Sequence, residues 1–187
     1  MSGHDHAAAQ LGERVGDGEA GHAEAEHENF ADELVQRVAR RLAMPVAAVE
    51  ATLTEWFDRR PLQFLGRHAV PGLPALFDGL RRSGIQIGVL SDYPAADKLD
   101  ALGLKADIVV SATDNDVGIL KPHPRGLSAL LARAGRGAGE AVMIGDRADR
   151  DGAIASRLGT RFLLRGRGSD AHFWRYDDDV FRPVLMQ

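Results

Sequence analysis

Four side chains in this sequence carry groups able to grip a phosphate or a cation, and each stands where an apolar run ends or a loop is pinned by prolines. Ser91 follows the run IQIGVL and precedes Asp92, Tyr93 and Pro94. A hydroxyl at a strand end, followed by backbone N–H groups in a turn, is suited to cradling phosphate oxygens, so Ser91 and Asp92 are candidate substrate-binding residues. A serine capping the helix after Pro94 would explain the same residue equally well. Lys121 sits in GILKPHP, between an apolar pair and a proline. Such a lysine is held rather than waving from a helix face, and its ammonium could neutralise phosphate charge. His123 beside it is a weaker candidate, a general base only if something fixes its ring. Asp146 follows the run Val142-Met143-Ile144 and Gly145, and Asp151 lies five positions on. Their hard carboxylate oxygens suit Mg²⁺, which keeps several waters and takes one or two protein carboxylates. Asp149 reads as an exposed or capping residue of that turn.

The elements that must position these groups can be read from hydrophobic rhythm. Phe30, Leu34, Val38 and Leu42 lie four apart, one face of an amphipathic helix. Met44-Pro45 breaks it, and Pro45 suits the first turn of a second helix carrying Val46, Val49, Leu53, Trp56 and Phe57. Arg59-Arg60-Pro61 stops that helix, so residues 30–58 read as a helical hairpin. After Pro71-Gly72 the rhythm changes. Residues 73–82 read as helix, 85–90 as strand, 95–102 as a short helix and 108–110 as strand. Residues 124–134 read as helix, 141–144 as strand, 150–158 as helix and 161–164 as a last strand. Strands alternating with helices across short loops predict an α/β fold, a doubly wound and mostly parallel sheet with helices on both faces. Right-handed crossovers then bring the strand C-terminal ends to one edge, where ligands of such sheets bind.

The order strand–Ser91, Lys121 in a proline-bounded loop, and strand–Gly-Asp146-x4-Asp151 resembles the haloacid dehalogenase-like hydrolase superfamily, most of whose members are Mg²⁺-dependent phosphatases. The stretch GLKADIVVSATDNDVGILKPHP carries the same resemblance. The resemblance covers residues 30–165 and implies a Rossmann-like core with a small α-helical cap. It implies that Ser91 binds the phosphoryl group and that Lys121 steadies the nucleophile and the transferred phosphate. It further implies that Asp146 coordinates Mg²⁺ and that Asp151 supports the site. The expected domains are an acidic arm (1–29), a cap-like hairpin (30–68), the α/β core (69–165) and a tail (166–187) that docks on the domain or on a partner.

One part of that family's pattern is not found. Its attacking aspartate ends a first strand upstream of the cap, with a second aspartate two positions later. A strand buried on both faces reads as an apolar run of about five residues. Upstream of Phe30, AAAQL comes closest and no aspartate pair follows it; Asp5 lies between histidines and Asp17 between glycines. The first core strand is therefore expected to be missing, and it is the strand that the family places centrally, between those carrying Ser91 and Asp146. Two readings stay open. One is a phosphatase of a small phosphorylated metabolite, inactive as this chain alone, whose missing strand comes from another polypeptide or an upstream start. The other is a non-catalytic binding subunit, a pseudoenzyme, with a partner or a second copy at the empty strand position.

Bulk properties narrow the remaining classes. Residues 1–29 hold seven acidic residues against one arginine, with five glycines and four histidines, and read as a disordered arm. His4, Asp5, His6, His22 and His27 lack the fixed spacing of a metal site. A net charge of −4 with scattered arginines gives no pull toward nucleic acid. The absence of cysteine excludes disulfides and thiolate sites and suits a reducing cytoplasm. No apolar run approaches the ~18 residues that cross a bilayer, and the N-terminus lacks the pattern of a secretory signal. A nucleotide-binding domain lacks its glycine-rich loop here.

Overall fold

In a computed structural model of the chain, residues 33–186 are described. The expected acidic arm therefore lies outside the described residues. The chain divides into two units, Met1–Val46 and Ala47–Gln187. The described part of the first is the helical segment α1 (33–42) and the turn after it.

Helix α2 (Val46–Leu53), whose residues from Ala47 on belong to the second unit, widens into a π-helical turn over Thr54–Arg59. Next comes α3 (Leu62–His68), preceded by Pro61 at its N-cap. Pro61 was expected to end a helix; instead it starts one, because a proline ring lacks only an N–H that the first turn does not need. The α/β pattern then follows: α4 (Leu73–Arg82), β1 (Gly88–Ser91), α5 (Ala96–Ala101), β2 (Ile108–Ser111), α6 (Arg125–Ala134), β3 (Val142–Gly145), α7 (Ala153–Leu158) and β4 (Arg161–Leu164). Helix α6 stops at Gly135 and α7 at Gly159, both left-handed at the C-cap.

Every strand pairing is parallel. β1 pairs with β2 from Gly88↔Ile108 to Ser91↔Ser111, and β3 pairs with β4 from Val142↔Arg161 to Gly145↔Leu164. Among the described residues these are two separate two-stranded ladders rather than one continuous sheet. The strand expected at 85–90 begins at Gly88 because the Asp107 carboxylate takes the Ile87 N–H at 2.7 Å. The Asp107 and Ile108 N–H groups then both donate to the Ile87 carbonyl.

Helices hold the two ladders in one body. Leu90 of β1 and Met143 of β3 pack against one cluster formed by Leu127 and Leu131 of α6 and Ile154 of α7. On the opposite face of β3–β4, Ile144 and Leu163 pack with Leu76 and Leu80 of α4 and with Phe173, Tyr176, Phe181 and Leu185 of the tail. This is the doubly wound arrangement expected from the sequence, with helices on both faces.

The tail thus docks on its own domain. The Gly166 N–H donates to the Phe173 carbonyl at 2.9 Å, and the His172 N–H to the Leu164 carbonyl at 2.8 Å. Phe173 and Phe181 meet edge to face at 4.8 Å, a geometry worth about 0.5–1.5 kcal/mol beyond the area buried. The chain ends with α8 (Arg182–Leu185). Gly72 is required where the tail crosses: its φ is +85°, and a Cβ there would overlap the Tyr176–Asp177 backbone.

Candidate functional site

The C-terminal ends of β1 and β3, together with the loop before α6, converge on a small charged cluster. Lys121 Nζ lies 2.9 Å from Asp151 Oδ1, with side-chain exposures of 16% and 7%. The Lys121 N–H donates to Asp92 Oδ1 at 2.9 Å, and Arg150 reaches Asp92 Oδ2 at 3.4 Å. Asp92 and Arg150 follow different ladders, so this pair bridges the end of β1 to the turn after β3.

Local backbone geometry explains how Asp151 reaches the cluster. The chain leaves β3 through a π-helical turn, Ala148–Gly152, in which the N–H groups of Arg150, Asp151 and Gly152 all donate to the Arg147 carbonyl. This folds Asp151 back over Gly145, where its Oδ2 accepts the Arg147 N–H at 3.1 Å. A Cβ on Gly145 would overlap the Asp151 carboxyl group. The Gly-Asp-x4-Asp spacing therefore has a packing reason: the glycine makes room for the second acid.

The remaining candidates fall out differently. Ser91 Oγ accepts the Tyr93 N–H at 3.2 Å and does not cap the next helix, whose N-cap is Ala95. Asp146 points largely to solvent, with 65% side-chain exposure, and meets Arg165 at 3.8 Å. Asp149 is exposed and paired with Arg147 through two bonds of 3.0 and 2.9 Å; that hydrogen bonding holds its carboxyl below the ordinary range. His123 Nδ1 accepts the Arg125 N–H at 3.2 Å, which ties it to the start of α6. The helical stretch expected at 150–158 therefore starts with this turn and becomes regular at Ala153.

A second Asp-x-Asp does follow a strand, namely Asp114-Asn115-Asp116 after β2. Both acids are bound by Arg133, at 3.0 Å to Asp114 and at 2.7 and 2.8 Å to Asp116. The Arg133 fork holds the Asp116 carboxyl below its ordinary range. This pair forms an exposed ion cluster with Arg133.

The resemblance implies Mg²⁺, which takes oxygen donors in a near-octahedral shell. Among the described residues, no group of three or more His, Asp or Glu side chains is arranged to hold a metal ion. Both Asp151 oxygens already serve Lys121 and the Arg147 N–H. Asp146 is left as the one exposed acid of the candidate pair. The described donors do not by themselves fit a held Mg²⁺.

Arg165 is a residue that sequence reasoning missed. The β3–β4 register pairs Gly145 with Leu164, so the next positions, Asp146 and Arg165, are neighbours at the sheet edge. The Arg165 N–H donates to the Gly145 carbonyl at 2.8 Å. The strand register alone could have found this pair once both strands had been read.

The fold agrees with comparison to known proteins. A haloacid dehalogenase-like hydrolase family model matches residues 2–159, and the chain belongs to that family. It is 33% identical over 104 residues to a glyceraldehyde 3-phosphate phosphatase of Methanocaldococcus jannaschii, covering 53% of this chain and 46% of that protein. It is 32% identical over 111 residues to a phosphoglycolate phosphatase of Rhodospirillum rubrum, covering 58% of this chain and 46% of that one. The chain thus spans about half the length of the curated relatives it matches. Among solved structures, a 2-haloacid dehalogenase from Pseudomonas syringae superposes with a TM-score of 0.55 at 26% identity, over 82% of this chain and 70% of that one. A phosphatase from Thermococcus onnurineus superposes with a TM-score of 0.51 at 24% identity, over 78% and 83%, a likeness of fold.

Proposed function

We propose that this chain is the phosphoryl-binding part of a phosphatase of small phosphorylated metabolites, and that it does not complete the reaction alone. In this reading Ser91 and Asp92 line the phosphoryl site, Lys121 supplies the positive charge, and Asp151 keeps that lysine in place. The observation that carries it is the double anchoring of Lys121, through its N–H to Asp92 and its Nζ to Asp151. A lysine held from both ends, at the edge where strands of such sheets end, is set up to meet an anion. The names of the two curated relatives, a glyceraldehyde 3-phosphate and a phosphoglycolate phosphatase, support a small phosphorylated substrate.

The proposal of inactivity rests on the sequence upstream of Phe30, which offers no apolar run followed by Asp-x-Asp. It also rests on the tied state of Asp114 and Asp116. Phosphoryl transfer depends on positioning and charge stabilisation, yet it still needs an acceptor. A Mg²⁺ ion would find only Asp146 as an exposed acid of the candidate pair and would need further donors from outside the described residues. Residues 30–68 serve as the cap, and a cysteine-free composition suits a cytoplasmic location.

A second reading, a non-catalytic binding subunit, is favoured by one observation. Among the described residues, β1 and β3 each pair on one side alone, so a strand from a partner or a second copy could add between them. Calorimetric titration of inorganic phosphate, run beside turnover of an aryl phosphate with Mg²⁺, tests both readings. The first predicts saturable phosphate binding that Lys121→Met abolishes. Phosphate binding that is absent, or that survives this substitution, contradicts it.

A further inference from the structure

Asp92, which directly follows β1, and Asp146, Asp149 and Asp151, which lie between β3 and α7, are each matched to a base. Arg150 stands 3.4 Å from Asp92, Arg165 3.8 Å from Asp146, Arg147 2.9 Å from Asp149, and Lys121 2.9 Å from Asp151. Acids and bases here therefore balance one to one. A site that holds a dication through oxygen ligands needs carboxylates to spare. Drawing Asp151 onto a metal would strand the Lys121 ammonium, whose side chain is only 16% exposed, and a withdrawn charge that loses its partner is costly. Drawing Asp92 onto it would set the dication against the Arg150 guanidinium, a like-charge contact.

Arg150 is placed to serve an anion instead. It closes a circuit with Lys121. Asp92 accepts the Lys121 N–H through Oδ1 and faces Arg150 through Oδ2. Asp151, next to Arg150 in the chain, holds Lys121 Nζ. Two cations are thus fixed on one frame beside Ser91 and Asp92, at the end of β1. The backbone of Arg150 is set by the π-helical turn, in which its N–H donates to the Arg147 carbonyl at 3.2 Å. Its contact with Asp92 is long, and the arginine side chain is 42% exposed against 12% for the acid. Such a pair is weak and opens on the guanidinium side. The fork is always charged and matches phosphate oxygens in two-pronged fashion. A phosphate oxygen that takes the place of Asp92 at Arg150 exchanges one negative partner for another.

We infer that this chain binds the phosphoryl group without a divalent ion, with Arg150 supplying the second positive charge beside Lys121. Arg150 is then a binding residue that contacts the phosphate directly. This rests on the phosphoryl-binding reading of Lys121 given above.

Inorganic phosphate is the probe. It is titrated calorimetrically into the full chain, once in EDTA after removal of metals and once with Mg²⁺. The two dissociation constants are expected to agree within about twofold. Arg150→Met is expected to weaken binding about tenfold under both conditions, the value of one charge-assisted hydrogen bond. Should Arg150→Met fail to fold by circular dichroism, Arg150→Lys keeps the charge, loses the fork and is expected to weaken binding partway. Phosphate binding that requires Mg²⁺, or that is indifferent to both Arg150 substitutions, overturns the inference. It leaves the phosphoryl-site reading standing where Lys121→Met still abolishes that binding. Binding indifferent to Lys121→Met overturns the phosphoryl-site reading instead, and a chain that binds no phosphate under either condition overturns both.

Discussion

Lys121 Nζ and Asp151 Oδ1 stand 2.9 Å apart, joining the loop before α6 to the turn after β3, and both side chains are largely withdrawn from water. A pair in that position is expensive to break from one side, because the surviving charge is left without its partner. Lys121→Met and Asp151→Asn are each predicted to cost on the order of 3 kcal/mol. The double substitution is predicted to cost clearly less than the sum of the two. Urea denaturation of the four proteins in a double-mutant cycle measures this, and additive losses would show that the contact carries no coupling. The exposed Asp146 is the contrast: Asp146→Asn is predicted to fall within about 0.5 kcal/mol of the parent.

Gly145 makes a separate prediction. A methyl group there would overlap the Asp151 carboxyl, so Gly145→Ala must push the acid off its lysine or shift the turn. A loss of about 1–3 kcal/mol is expected, with weakened phosphate binding in the same variant. Full retention of both would mean that the turn has slack the packing does not show.

The tail is predicted to be part of the core. Phe173 is buried among Leu76, Phe181 and Tyr176, and Phe173→Ala should cost about 3–5 kcal/mol by thermal or urea unfolding. A loss below about 1 kcal/mol would show the tail to be an appendage.

Tyr176 supplies a pH signature. Burial, with Asp146 adding to it and Arg165 opposing it, raises its phenol above the ordinary 10.0. The folded state thus favours the neutral ring. Its contribution is fully present below pH 10.0 and is lost as pH rises through the higher folded value. Denaturation between pH 9 and 11.5 is expected to show a steeper alkaline loss in the parent than in Tyr176→Phe; identical slopes would contradict the assignment.

The positions of the candidate residues were legible in the sequence because those residues follow apolar runs or sit in a proline-bounded loop. Ser91 ends β1, Gly145 ends β3, and Lys121 reaches Asp151 in the turn after β3. What could not be read depends on contacts far apart in sequence. The docking of Phe173 and Phe181 on Ile144 and Leu163 leaves no local periodicity. The start of β1 is set by the Asp107 side chain, twenty residues away. Helix α3 was hidden because Pro61 can end one helix or begin another, and the sequence does not say which. Arg165 was overlooked for a different reason: its place beside Asp146 comes from the β3–β4 register and from contacts to Trp174, nine residues on.

The most direct test uses the 187-residue chain by itself. Phosphate binding and aryl phosphate turnover with Mg²⁺ are measured on one sample, for the parent, Lys121→Met and Asp146→Ala. The account predicts phosphate binding that depends on Lys121, with turnover no faster than buffer. Robust turnover that disappears in Asp146→Ala would contradict it, since the chain would then supply its own attacking group.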